Sequence, residues 1–417
     1  MKYLFLHQNF PGQYLHIVKH LLADRDNQVA FISEPNVNYL PGVHRLSYQV
    51  PKIDPEGIEI SARDINRASK RATAAGVCAR NLRTLGFKPD IIIGHHGWGE
   101  LLEMPDVWPD VPMLGYFEFY YSHTGQDVDF DPEFPATEEQ YPRIRAMNLI
   151  NLLALSLEQH GQTPTQWQFM RYPEWARKQI RVLPEGAKLD VCRPDAKVRA
   201  EPLTIGKFTV APKDKLITYV SRNLEPYRGF HTMMRALPDL LRARPDAKVV
   251  MVGGDDVSYG SRLIGATWRE FMQKELEGKY DASRVLLPGQ VPYETYLRLL
   301  QRSDAHVYLT YPFVPSWSLR EALACGAVVI GADVEPVREF ITHGRNGLLT
   351  PALDPKRLSE AILEVLEDDR LSRRLRTGAR RFAERHLDMA DHISAYEAVI
   401  GELTGTTTAA PRVAARA

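Results

Sequence analysis

Short apolar runs recur along the chain. Each is followed by a polar or glycine-bearing loop and then by apolar residues at helical spacing. The first run is Tyr3-Leu4-Phe5-Leu6; the loop His7–Gln13 follows, and Ile17, Val18, Leu21 and Leu22 then fall on one helix face. Further strands are predicted at Val29–Ile32, Ile91–Ile93, Val111–Tyr116 and Ile180–Leu183. Between them lie a basic, Ala-rich helix (Ala62–Leu85) and an apolar one (Ile144–Leu153). At Lys215 the opening layout returns: a strand Leu216–Val220, a loop Ser221–Gly229 and a helix Phe230–Leu241. Strands Lys248–Val252, Val285–Leu287, Ala305–Leu309 and Val328–Ile330 follow, with helices at Tyr293–Gln301 and Leu319–Cys325. Strands alternating with helices predict parallel sheets, so the expected class is α/β with two similar domains. Open sheets of this kind bind ligands beyond the carboxyl ends of their strands, which is where the polar loops fall.

Composition narrows the function. A chain of 417 residues exceeds one ordinary domain. Lysine plus arginine and aspartate plus glutamate both number 52, so bulk charge gives no argument for nucleic acid. The three cysteines (Cys78, Cys192, Cys325) are far apart, lack metal-ligand spacing and read as ordinary thiols of a reducing compartment. Long apolar runs and a signal-type N-terminus are absent, so the expected location is cytoplasmic, with peripheral membrane contact left open. The acidic, Pro-bearing stretch Asp127–Tyr141 reads as a surface loop, and Asp190–Lys213 as the interdomain linker.

Candidate chemistry sits on the loops. Gly12 stands where loop turns into helix, so a ligand can approach its backbone closely. In Gly94-His95-His96-Gly97-Trp98-Gly99 two adjacent histidines cannot face the same way, which argues against a shared metal. His96 is either buried in a glycine-rich turn or lines a cleft. Glu118 lies among aromatics after a strand. It is either bonded to nearby amides or a desolvated carboxylate poised to exchange a proton with a hydroxyl. Arg222 and Arg228 share one loop with Gly229, and arginine grips phosphate through planar, permanently charged donors. Gly254 and Val291 follow two further strands, and the helix start near Ser316, Ser318 and Leu319 adds amides and a dipole that favour an anion. Ser318-Leu319-Arg320-Glu321 has the spacing of a capping box, and on spacing alone Glu321 is a cap.

The segments YVSRNLEPYRGFHTMMRALPDLL, VMVGGDD, LLPGQVPYETYLRLLQRSDAHVYLTYPF, PSWSLREALACGAVVIGADVEPVREFITHGRNGLL and VLPEGAKLDVCRP resemble glycosyltransferase family 4. The resemblance runs from about Arg181 to Phe382 and is weaker over the N-terminal half. It implies a GT-B fold, two Rossmann-like domains facing a cleft, with a C-terminal helix crossing back to the first domain. It also implies a retaining, metal-independent enzyme that takes a nucleotide-diphosphate sugar, UDP being the commonest, and needs no cofactor. The acceptor would be a glycan, a lipid-linked carbohydrate or a small molecule. The family's arginine and lysine that hold the donor diphosphate match Arg222 and Arg228, the second being Arg here. Its Glu-x7-Glu motif matches at Glu321, which in the family bonds the ribose, while the first glutamate falls on Phe313. A family histidine falls on Glu118.

Together these readings assign Arg222, Arg228 and Glu118 to catalysis. Gly12, Gly254, Val291, Ser316, Ser318, Leu319 and Glu321 are assigned to the donor, and His96 and Trp98 to the acceptor side. Domains are expected at 1–188 and 189–385, a returning helix at 386–403 and a disordered tail at 404–417. Arg373, Arg374, Arg376, Arg380 and Arg381 form either a solvated helix face or a patch for an anionic membrane. Two other classes stay open: a GT-B protein that binds a nucleotide sugar without turnover, and a sugar-nucleotide epimerase.

Overall fold

The computed structural model describes residues 1–51, 56–157 and 160–406. The chain divides into two compact units. Unit 1 is Met1–Glu185 together with the chain from Ala390 on, and unit 2 is Gly186–Met389.

Unit 1 carries a seven-stranded sheet: β1 (Lys2–Leu6), β2 (Gln28–Ser33), β3 (Val43–Ser47), β4 (Ile91–His95), β5 (Met113–Tyr116), β6 (His160–Thr163) and β7 (Ile180–Val182). All pair in parallel, in the order β3-β2-β1-β4-β5-β6-β7. The central strands are apolar throughout because both faces are covered. On one face Phe5, Phe31 and Ile93 pack with Ile17 and Val18 of the Leu15–Leu21 helix. Tyr396, Val399 and Ile400 of the C-terminal helix Met389–Thr404 join the same cluster. On the other face Leu4, Leu6, Ile32 and Ile92 meet Ala75, Ala79 and Leu82 of the Arg63–Thr84 helix, whose small residues allow close approach. The returning helix is also tied by Arg181, which donates to both oxygens of Glu402 at 2.9 and 3.0 Å.

Unit 2 carries an antiparallel hairpin ahead of its main sheet, β8 (Leu203–Ile205) and β9 (Phe208–Val210). Its sheet has six parallel strands: β10 (Lys215–Asn223), β11 (Ala247–Gly254), β12 (Val285–Gly289), β13 (Ala305–Tyr308), β14 (Val329–Ala332) and β15 (Leu348–Thr350). The order is β12-β11-β10-β13-β14-β15. In both sheets the chain works outward from one strand and then reverses, so each has a switch point, at β1/β4 and at β10/β13. Loops diverge there and leave a crevice at the strand ends.

Four expectations are corrected. Asp190–Lys213 is not a free linker. Asp195 caps a short helix (Ala196–Ala200), and Leu203 and Val210 of the hairpin pack with Leu216, Val250 and Leu299 of unit 2. The helix expected over Ile144–Leu153 is broken into Tyr141–Ala146 and Leu149–Ser156. Between them Asn148 accepts from the Tyr121 amide and donates to its carbonyl, both at 2.8 Å, which anchors the break to the loop after β5. The five arginines of the Asp369–His386 helix do not form one patch. Arg376 donates to Gly326 and Ser303 carbonyls and Arg380 to those of Cys192 and Ala324, leaving Arg373, Arg374 and Arg381 exposed. The expected tail begins inside the last helix, which runs to Thr404; residues 407–417 lie outside the described residues. No described helix is long and apolar enough to cross a membrane.

Candidate functional site

In unit 2 the β10/β13 switch point is built by the loop after each strand. After β10, Pro226–Arg228 forms a single tight turn that ends at Gly229, whose φ is +70°. A side chain there would be strained, and its Cβ would lie 2.3 Å from Leu309 Cβ, so only glycine lets the loop close onto the segment that directly follows β13. This closure buries Arg228. Its Nη1 donates to Thr310 Oγ1 at 2.9 Å and to the Val314 carbonyl at 3.3 Å. The guanidinium lies 5.0 Å from the Tyr259 ring centre and 5.7 Å from that of Phe313. No carboxylate among the described residues forms an ion pair with it. Arg222, the penultimate residue of β10, is exposed, and its side chain has no hydrogen-bond or ion-pair partner among the described residues.

Phe313 stands where the family places a glutamate. It is buried and packs edge-on against Tyr227 (5.1 Å between centroids) and against Tyr259 (4.8 Å). A ring therefore faces Arg228 where the family has a carboxylate. Tyr259 is placed by Glu225, which the sequence reading missed. This fully buried carboxylate accepts the amides of Ser258 (3.0 Å), Tyr259 (3.2 Å) and Gly260 (2.9 Å). A buried acid within a loop is the signal that was available.

The helix after β13 runs Trp317–Ala324 with Ser316 at its N-cap. Ser316 Oγ does not cap it; it is shared with Ser318 Oγ at 2.6 Å, and the Ser316 amide donates to Tyr308 OH at 2.8 Å. Leu319 is buried, its amide bonded to the Ser316 carbonyl. The capping-box reading of Glu321 is overturned. The helix starts before Ser318, so Glu321 lies on its second turn, and its carboxylate accepts from Tyr293 OH at 2.8 Å and Tyr296 OH at 2.6 Å. Gly254 ends β11, and a Cβ on it would meet the Asn223 side-chain oxygen at 2.7 Å, so the Asn223 side chain packs over it. Val291 is half-buried against the Leu216–Leu299 cluster, where it serves packing.

In unit 1, Gly12 has φ +56° and lies against His7, whose Nδ1 would be 2.8 Å from a Cβ. His96 is corrected. It lies in the core, 4.6 Å from the Phe117 ring centre, with neither ring nitrogen hydrogen-bonded among the described residues. Burial, and then the neighbouring His95, push its pKa down to about 3, so it stays neutral. His95 takes the edge position instead, as expected if adjacent side chains alternate. Its Nδ1 accepts from the Gly97 amide at 2.9 Å, which leaves the proton on Nε2, 3.3 Å from Glu118 Oε2. Glu118 keeps about a third of its side chain exposed (36%), and its carbonyl accepts from Gln168 at 2.6 Å. Trp98 is partly exposed beside the His95 ring, 5.7 Å away. The β1/β4 switch point thus gathers His7, Gly12, His95 and Trp98, with Glu118 on the adjacent loop.

Two Rossmann-like parallel-sheet units, each with polar residues at its switch point, define the GT-B class. Structural comparison agrees. Sucrose-phosphate synthase from Thermosynechococcus elongatus is similar with a TM-score of 0.74 at 18% identity, covering 98% of this chain and all of that one. Anabaena HepE in complex with UDP-glucose is similar at 0.68 and 14% identity, covering 96% of this chain and all of that one. Residues 25–192 match the family described as glycosyl transferase family 4 group, and residues 204–382 that described as glycosyl transferases group 1. The chain belongs to the family 4, group 1 glycosyltransferases. Among curated relatives, a glycosyltransferase of Methanocaldococcus jannaschii is 23% identical over 193 residues, 46% of each chain. The phosphatidyl-myo-inositol mannosyltransferase of Mycolicibacterium smegmatis is 28% identical over 161 residues, 38% of this chain and 37% of that one. The D-inositol 3-phosphate glycosyltransferase of Streptomyces avermitilis is 28% identical over 224 residues, 52% and 46%. The chain thus spans about half or less of the length of the curated relatives it matches.

Proposed function

We propose that the protein transfers a sugar, with retention, from a nucleoside-diphosphate sugar to a hydroxyl of a glycan, lipid-linked or small polyol acceptor. The observation that carries this reading is the arginine pair at the β10/β13 switch point. Arg228 is buried with no carboxylate in an ion pair with it among the described residues, and Arg222 is exposed with no partner among them. A diphosphate supplies the missing negative charge, and the amides at the start of the Trp317–Ala324 helix add donors and a favourable dipole. UDP is the first choice of base, supported by the UDP and UDP-glucose complexes of the similar Anabaena structures. An inositol-type acceptor is supported by the names of the relatives.

In this reading the two arginines and the helix amides stabilise the charge that builds on the leaving diphosphate, as preorganised electrostatics. With two cations at the phosphates, no divalent metal is required for that role. The acceptor oxygen attacks the anomeric carbon on the face the diphosphate leaves. The carbon–oxygen bond to phosphate breaks, and a departing phosphate oxygen takes the acceptor proton. Trp98 and the Glu118–His95 pair are the acceptor-side groups in this scheme; Gly12 and Glu321 belong to the donor, Glu321 receiving the ribose hydroxyls. Phe313 supports a second reading, a binder without turnover, because no carboxylate stands there to take the donor sugar's hydroxyls.

The test is thermal stabilisation by a panel of nucleoside diphosphates and their sugars in EDTA, followed by turnover with polyol acceptors. A shift with one diphosphate and its sugar, and an α-linked product from an α-donor, are expected. Binding without product under any acceptor would favour the second reading. A strict need for a divalent cation would overturn the metal-free one.

A further inference from the structure

Glu321 is held by groups that the transfer scheme above does not use. Tyr293 and Tyr296 occupy the first turn of the Tyr293–Arg302 helix, three residues apart and so on one face. Each sends its hydroxyl to a different oxygen of Glu321, Tyr293 to Oε1 at 2.8 Å and Tyr296 to Oε2 at 2.6 Å. Behind them Cys192 Sγ lies 3.4 Å from Tyr293 OH and 3.9 Å from Oε1. Arg380 keeps Cys192 there by bridging the Cys192 and Ala324 carbonyls, each at 2.9 Å.

The geometry points to Tyr293 and Tyr296 as positioning residues that fix the Glu321 carboxylate for a vicinal diol, and so set discrimination for ribose over deoxyribose. This rests on the nucleotide-sugar reading above. A carboxylate offers about four lone-pair directions, two on each oxygen. The phenols occupy one on each oxygen, which fixes the plane of the group; with the Cys192 thiol donating to the nearer Tyr293 oxygen, 3.4 Å away, one direction per oxygen is left. Two open acceptors on a fixed carboxylate suit two adjacent hydroxyls, as the ribose of a nucleotide presents. A carboxylate on an unrestrained glutamate would lose side-chain entropy at the moment of binding; here that loss is taken on folding. Burial, with the thiol and carboxylate beside it, raises the Tyr293 phenol, and burial and Glu321 raise Tyr296. Both therefore remain donors across the neutral range.

The experiment is calorimetric binding of UDP, GDP and ADP and of their 2′-deoxy counterparts to the full chain. The proteins are the parent, Tyr293→Phe/Tyr296→Phe, Glu321→Gln and the triple variant. The parent is expected to prefer the ribo form of one diphosphate. The double Phe variant loses that preference by on the order of tenfold, its affinity for the deoxy form falling much less than that for the ribo form. In the Glu321→Gln background the Phe substitutions add little further loss. A double variant that keeps the full ribo-to-deoxy ratio, whatever its melting temperature, overturns the positioning role. So does a parent that binds a diphosphate without ribo preference, which leaves the function reading standing. No binding of any nucleotide overturns both.

Discussion

Arg228→Met separates a functional cation from a structural one. The guanidinium is buried with no carboxylate ion pair among the described residues, so folding carries a desolvation cost of several kcal/mol. Against it stand one good hydrogen bond, to Thr310 at 2.9 Å, and a longer one to Val314 at 3.3 Å. A bond to a charged group contributes about 1.5–3 kcal/mol. The faces of Tyr259 and Phe313, 5.0 and 5.7 Å away, add about 0.5–2 kcal/mol each. These terms offset one another within a few kcal/mol. Methionine fills much of the same volume with a flexible apolar chain. Stability should therefore change by less than about 2 kcal/mol, roughly 4–8 °C in Tm for a unit of this size. Diphosphate binding has no such compensation. Losing a buried charged partner costs about 3 kcal/mol, so Kd should rise on the order of a hundredfold. The assay pairs thermal melts with calorimetric titration of the diphosphate that the parent binds. A variant that melts more than about 15 °C lower but binds diphosphate normally would refute the reasoning and make Arg228 a structural residue.

Three further outcomes follow from single contacts. His96→Leu should flatten the acid side of the stability profile. The folded pKa of about 3 lies below the ordinary 6.5, so the neutral ring's contribution is full above pH 6.5 and is lost as pH falls toward 3. Melts at pH 7 and pH 5 should show the parent losing about 2 kcal/mol that the variant keeps. Glu225→Gln leaves one acceptor oxygen for three amides and should destabilise unit 2 by about 2–3 kcal/mol. Amide exchange at Ser258, Tyr259 and Gly260 should accelerate before that of β10, and uniform acceleration would contradict a local role. Gly229→Ala forces a side chain into positive φ and against Leu309, so a loss of about 3 kcal/mol or more is expected by denaturant titration. An unchanged midpoint would show that the turn is not as tight as described.

The sequence by itself determined the strand–helix alternation, the two-sheet architecture and the sheet edge at which the polar loops emerge. Apolar runs buried on both faces can only be central parallel strands, and each polar loop after such a run must emerge at the carboxyl edge. Arg222, Arg228, Gly12 and Gly254 were therefore legible by position. Local patterns failed where a distant partner decided the outcome. β6 is His160-Gly161-Gln162-Thr163, with no apolar residue to reveal it. It becomes a strand because Gly161 admits the Phe117 ring and Gln162 reaches Tyr396 on the returning helix. Spacing made Glu321 a cap, but two tyrosines from another helix claim its oxygens. The linker composition of Asp190–Lys213 hid a hairpin, because its few apolar residues find their partners only in the folded unit 2 core. Adjacent His95 and His96 are the same residue to a motif. Tertiary packing alone chooses which faces Glu118 and which faces Phe117. Periodicity records how much of a segment is buried. It does not record what the segment is buried against, and for a polar side chain the partner decides the role.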